Sequence, residues 1–171
     1  MDQATKSPEP SRDVRVLLVE DSASDAFLFT NALQKQAVTS FIITHAKSEA
    51  EALSRLSTET FDVCLLDLSL PDAMDLSALK RLQENWTALP ILILTGTENE
   101  SLAQSAVRFG AQDYLSKNKV DGEAIRQAIA YAIERKRFQN TLIQKAHFDS
   151  LTGLMRREEF EGHLWRITTA S

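Results

Sequence analysis

The chain shows five short β-like runs, separated by longer stretches in which apolar positions recur every three or four residues. The runs are Val14 to Glu20 (VRVLLVE), Ser40 to Ala46 (SFIITHA), Asp62 to Asp67 (DVCLLD), Pro90 to Thr95 (PILILT) and Asp113 to Lys117 (DYLSK). Val63 to Leu66 is apolar at every position, the pattern of a strand covered on both faces in a parallel sheet. Between the runs, Ala26, Phe29, Leu33 and Ala37 have helical spacing. So do Ala50, Leu53 and Leu56, then Leu76, Leu79 and Leu82, then Leu102, Ala106 and Phe109. Ser48 and Glu51 stand at capping-box spacing, and Gly110 is placed to stop the fourth helix. Strands alternating with helices of this length imply right-handed crossovers and helices on both sides of a sheet. The expected fold is α/β, a five-stranded, doubly wound parallel sheet over residues 12–135.

A last segment extends this pattern. Asp121 can cap a helix that, after Gly122, meets no glycine or proline as far as Phe148 and is rich in helix formers. Ile125, Ala128, Ile129, Ala132 and Ile133 are expected to pack on the sheet. Phe138, Leu142 and Ile143 carry an apolar stripe past the domain, through a helical linker at residues 136–148. A stripe that outlasts its core needs another partner. A parallel two-helix coil with a second copy, giving a homodimer, is one expectation; packing on the chain's own next domain is the other.

Composition adds bounds rather than detail. With 171 residues, 43% hydrophobic and 25% charged, the chain can bury one core and carry an appendage. Cys64 lies inside an apolar run and reads as a core thiol, and one cysteine allows no internal disulfide. Residues 1–11 are polar and proline-containing and read as a disordered segment with no leader; no apolar span is long enough for a membrane. The expectations are a cytoplasmic location and no membrane partner. A net charge of -5 and the solvated ERKRF cluster, Glu134 to Phe138, argue against a nucleic-acid partner. His45, His147 and His163 have no ligand spacing.

The unusual polar residues stand at strand ends. Glu20 and Asp21 close the first run, Asp67 the third, Thr95 the fourth and Lys117 the fifth. In a parallel sheet these carboxyl ends share one edge, where such folds keep their chemistry. Three converging carboxylates repel unless a cation sits among them, and carboxylate oxygens suit Mg2+. Lys117 can meet a phosphoryl oxygen as a point charge, and the Thr95 hydroxyl can donate to another.

This set, in this order, resembles the receiver domain of bacterial two-component response regulators, with a flavodoxin-like fold. The resemblance implies that Asp67, in LLDLSLPDAMD, is the phosphoacceptor. It implies further that Asp21, Asp67 and the Ser69 backbone carbonyl hold Mg2+, with Glu20 acting through water. Thr95, in LILTGT, would be the switch hydroxyl, and Lys117, in GAQDYLSK, the lysine that contacts the phosphoryl group. Tyr114 matches the aromatic position whose ring follows phosphorylation. The implied partner is a sensor histidine kinase or a phosphotransfer protein. The readout would be the surface around the fourth helix, fifth strand and last helix. Two positions depart from the pattern. Asn118 replaces the proline that often forms a cis bond after the lysine, so the Lys117–Asn118 bond is either trans or kept cis by its surroundings. Leu76 replaces a glycine after Asp75. Ser69 and Thr97 flank the site and could govern hydrolysis of an acyl phosphate.

Beyond the helix, HFDSLTGLMRREEFEGHL resembles the opening of a GGDEF-type diguanylate cyclase domain, on Asp149, Leu151, Thr152, Gly153, Leu154 and Arg157, with Arg156 in place of the usual asparagine. Residues 149–171 would be an incomplete N-terminal fragment of that domain. The cyclase's metal and nucleotide residues do not follow, so this chain is not expected to be an enzyme; a longer parent would be the diguanylate cyclase, signalling by cyclic di-GMP. Three other readings weigh less. A haloacid-dehalogenase phosphatase needs an acid where Ser69 stands, and a flavodoxin-like nucleotide binder needs a Ser/Thr/Gly-rich loop where EDSASD stands. A non-phosphorylated pseudo-receiver, acting as an interaction module, would not need the five site residues.

Overall fold

A computed structural model describes residues 13–35, 39–73, 76–96 and 100–147, excepting the side chains of residues 100 and 143–147. The expectations for residues 1–11, Ala37, Asp75, Thr97, the Ile143 side chain and the cyclase-like segment 149–171 lie outside the described residues. The elements alternate as expected: β1 (Val14–Val19), α1 (Ala23–Gln34), β2 (Phe41–Ala46), α2 (Glu49–Thr58), β3 (Val63–Asp67), α3 (Ser77–Asn85), β4 (Ile91–Thr95), α4 (Glu100–Arg108), β5 (Asp113–Ser116) and α5 (Gly122–His147). The strands form one parallel sheet in the order β2-β1-β3-β4-β5.

Alternation along each strand builds two cores. Val16, Leu18, Val63, Leu65, Leu92 and Leu94 face α1 and α5, meeting Phe29, Leu33, Ile125 and Ile129. Their neighbours Leu17, Val19, Cys64, Leu66, Ile91 and Ile93 face α2, α3 and α4, meeting Leu56, Leu79, Leu82 and Ala106. β3 and β4 are buried along their whole length, which is why they read as unbroken apolar runs. Burial raises the Cys64 thiol pKa to about 12, so it packs as an inert apolar group.

Local chemistry sets the helix ends. Ser48 caps α2 by accepting from the Glu51 N–H, while the Glu51 carboxylate reaches past Ser48 to the Lys47 N–H, a capping box displaced by one residue. The covered face of α2 differs from the expected one: Glu49, Ala52 and Leu56 are buried and Ala50 is exposed. Two distant partners turn the helix. Asp72 accepts from the Glu49 and Ala50 N–H groups, and Arg81 of α3 pairs with the Glu49 carboxylate through two bonds. α4 ends at Gly110, whose φ of +106° is the left-handed region. The Ala111 N–H returns to Ala106 and the Gly110 N–H to Val107, a Schellman closure. That closure leaves Phe109 at the C-cap, 69% exposed rather than packed inward.

α5 is one unbroken helix of 26 residues, begun by Asp121, whose carboxylate accepts from the Glu123 N–H. Ile125, Ile129 and Ala132 are buried, and Ala128 and Ile133 half-buried, as expected. Further along, Phe138 and Leu142 are exposed. No described helix is long and apolar enough to cross a membrane.

Candidate functional site

Register brings the polar strand ends together. β1 pairs with β3 at Val19 and Leu66, so Glu20 and Asp67 follow side by side on adjacent strands. The β4–β5 ladder runs one bond past β5, the Lys117 N–H donating to the Thr95 carbonyl at 2.8 Å, which sets Lys117 beside β4's end. The Lys117–Asn118 peptide is trans. Even without the proline, Lys117 Nζ reaches Glu20 Oε2 at 2.6 Å and Asp67 Oδ2 at 2.9 Å. Carboxylate oxygens of Glu20, Asp21 and Asp67 all lie within 4.8 Å of one another. The structure therefore assembles four of the sequence-derived residues into one acidic cluster around an ammonium.

Burial sharpens the electrostatics. Glu20 is fully buried and Asp67 is 2% exposed, whereas Asp21 is exposed. Desolvation pushes the Glu20 pKa up, aided by the Asp67 charge, against the Lys117 hydrogen bond that lowers it. For Lys117, burial pulls the pKa down, but the hydrogen bonds to Asp67 and Glu20 outweigh it and the net direction is up. Backbone contacts hold the acids in place. The Ser69 N–H donates to Asp67 Oδ1 at 3.1 Å, and the Ser22 N–H donates to Glu20 Oε1 at 3.2 Å. His45 Nε2 lies 2.7 Å from the Glu20 carbonyl, which can only accept, so Nε2 is the protonated ring nitrogen. Three hard carboxylate donors facing one ammonium leave excess negative charge, a donor set that fits a small divalent cation.

Thr95 closes β4 and Tyr114 stands in the first half of β5, both on the other face of the sheet. Thr95 is buried, and its hydroxyl donates to the Gly96 carbonyl at 3.0 Å rather than to Asp67. Tyr114 is half-buried against the core that α4 covers, and its register partner is Ile93, on the face that Thr95 shares. Leu76 stands just ahead of α3 with φ -93°, a conformation that needs no glycine.

Two features escaped the strand-end logic. Asp25, in the first turn of α1, puts Oδ2 at 3.4 Å from Lys117 Nζ, a third carboxylate on the same ammonium. Its signal was an acid at the start of a helix that must begin at the carboxyl edge. Asp72, by capping α2, ties the loop that follows Asp67 to a neighbouring helix; its pKa is lowered, burial being outweighed by the Ala50 and Glu49 N–H bonds.

Comparison with known proteins agrees with this geometry. The family model for the response regulator receiver domain matches residues 16–130. The DNA-binding transcriptional regulator NtrC of Proteus hauseri is 31% identical over 128 residues, 73% of this chain and 26% of that protein. The KDP operon transcriptional regulatory protein KdpE of Escherichia coli (strain K12) is 34% identical over 106 residues, 60% of this chain and 44% of that one. The chain thus spans about a quarter of the first of these relatives and less than half of the second. Among solved structures, the receiver domain of NtrX from Brucella abortus superposes with a TM-score of 0.63 at 22% identity, over 70% of this chain and 98% of that one, a likeness of fold. On the family match, this chain belongs to the response regulator receiver domain family.

Proposed function

We propose that this receiver is phosphorylated on Asp67 by the phosphohistidine of a sensor histidine kinase or a phosphotransfer protein, and that α5 carries the event to an output domain. The observation that carries this reading is the Lys117 ammonium bridging buried Glu20 and Asp67 at the carboxyl edge of the sheet. An Asp67 oxygen would attack phosphorus; the P–N bond breaks, its electron pair leaves with the imidazole, and Asp67 becomes an acyl phosphate. Mg2+ held by Asp21, Asp67 and the Ser69 carbonyl, with Glu20 acting through water, would supply positive charge to the phosphoryl oxygens. Lys117 would exchange its Asp67 contact for a phosphoryl oxygen in a charge-assisted bond. Thr95 would turn its hydroxyl from Gly96 to a second oxygen, and Tyr114, on the same face, would follow. The altered surface would then comprise α4, β5 and the start of α5.

Downstream, exposed Phe138 and Leu142 on the outer half of α5 favour a helix-mediated homodimer. The output assigned here is a GGDEF-type diguanylate cyclase, on the residues from Asp149 to Arg157. The named relatives are DNA-binding or transcriptional regulators, but the family match ends at residue 130, before any output segment. Receiver at 12–135, linker at 136–148 and output from 149 is the organisation proposed.

Intact mass after incubation with acetyl phosphate tests the reading. The wild-type chain should gain one phosphoryl mass only when Mg2+ is present, and Asp67→Asn should gain none. A variant labelled as fast as wild type would place the acceptor elsewhere.

A further inference from the structure

We infer that Asp25 is a donor-selecting residue: its carboxylate at the mouth of the site disfavours phosphodonors in proportion to their negative charge. The inference rests on the reading of Asp67 as phosphoacceptor. Among the described ion pairs, Lys117 is the common cation of Glu20, Asp67 and Asp25. The first two approach it from the buried side, at 0% and 2% side-chain exposure, and Asp25 from the rim at 36%. Glu20, Asp21 and Asp67 have roles in the proposed chemistry; Asp25 has none. It neither belongs to the cluster of oxygens that fits a cation nor lies on a strand end.

Its position nevertheless bears on every donor. Lys117 Nζ is the group that must meet an incoming phosphoryl oxygen, and the Asp25 carboxylate lies 3.4 Å from it. A donor on Lys117 therefore brings its charge within a few ångströms of a fixed negative charge, close to solvent. The first turn of α1 fixes that charge: the Asp25 N–H donates to the Ser22 cap at 3.3 Å, so the backbone cannot swing away without loosening the helix end. At such a separation near water, one carboxylate slows a dianionic donor about tenfold and a monoanion about threefold. A phosphohistidine presented by a protein can be offset by cations of that protein, so the filter favours it over free acyl phosphates.

The test is a pair of intact-mass time courses on the full 171-residue chain at saturating Mg2+ and low salt. One uses acetyl phosphate, a dianion at pH 7.5, and one phosphoramidate, which carries about one charge less. Asp25→Asn should raise the acetyl phosphate rate about tenfold and the phosphoramidate rate about threefold, shifting their ratio about threefold. Asp25→Glu, which keeps the charge, should hold the wild-type ratio, and in 0.5 M salt the Asp25→Asn shift should shrink towards none. A structural role would move both rates together and would not respond to salt. An unchanged ratio in Asp25→Asn, with wild type labelled normally, overturns the inference and leaves the Asp67 reading intact. A wild-type chain that takes phosphoryl from neither donor, with Asp25→Asn equally unlabelled, overturns both.

Discussion

β3 contains, within five residues, both of the environments that shape this molecule. Val63 to Leu66 are fully buried and apolar, matched on each side by strands and above and below by helices. Asp67, the next residue, is 2% exposed and ionisable, beside a fully buried Glu20. The interior is composed for stability, since each fully buried leucine contributes about 1.5–3 kcal/mol. The edge works against it, because desolvated like charges are offset by a single lysine. Rigid apolar strands hold two acids where neither would rest alone, and the same substitution logic should therefore give opposite signs at Leu66, in the interior of β3, and at Glu20, beside Asp67 at the edge.

The largest effect belongs to the interior. Leu66→Ala should cost about 3–4 kcal/mol, because a close-packed site between β1, β4 and the helices cannot collapse around the missing methyl groups. Urea unfolding of the two chains measures it. A loss under 1 kcal/mol would mean that the sheet centre is loosely packed and would erase the contrast with the edge.

At the edge the sign should reverse. Glu20 has a raised pKa in the folded state, so the folded chain binds its proton more tightly than the unfolded one and stability falls as pH rises from about 4.5 through the raised value. Glu20→Gln removes that titration while keeping the shape. The variant should be more stable than wild type by about 1 kcal/mol at pH 8, the gap closing below pH 4 where Glu20 is protonated in both states. Denaturant midpoints at the two pH values decide it. A variant less stable at pH 8 would show that the Lys117 bond to Glu20 outweighs desolvation.

The same division explains what could be read from sequence. All five strands fall within the expected runs to about a residue. In β1, β3 and β4 burial on both faces leaves a continuous apolar signal that needs no knowledge of partners, whereas the edge strands β2 and β5 are only partly buried and carry a weaker one. Glu20, Asp21, Asp67, Thr95 and Lys117 were legible for the same reason: each terminates such a run. Helix faces were less so. α2 turns Glu49 inward and Ala50 outward because Arg81, 32 residues away, pairs with the acid, and Asp72 caps the helix from another loop. Periodicity carries no trace of such partners. Phe109 kept helical spacing yet faces solvent because the closing turn at Gly110 precedes it in importance. Asp25 reads as an ordinary first-turn acid, favourable near a helix N-terminus, and only the approach of Lys117 from 92 residues along reveals its other contact.

A second contrast, within α5, gives the smallest expected effect on stability. Ile129 is 1% exposed and packed between β-strands and α1, while Phe138, further along the same helix, is 65% exposed. An apolar ring that touches no core contributes little to the folding of one chain, so Phe138→Ser should change the urea midpoint by no more than about 0.5 kcal/mol at concentrations where the chain is a monomer. The exposed stripe should matter between chains instead. At higher concentration the wild type should self-associate and the variant much less, as sedimentation equilibrium would show, and only the wild type should gain stability with concentration, because dimerisation is linked to folding by mass action. If Phe138→Ser destabilises the monomer by more than 1 kcal/mol, the ring is covered by the chain's own residues beyond His147, and the outer half of α5 belongs to an intramolecular interface rather than a dimer.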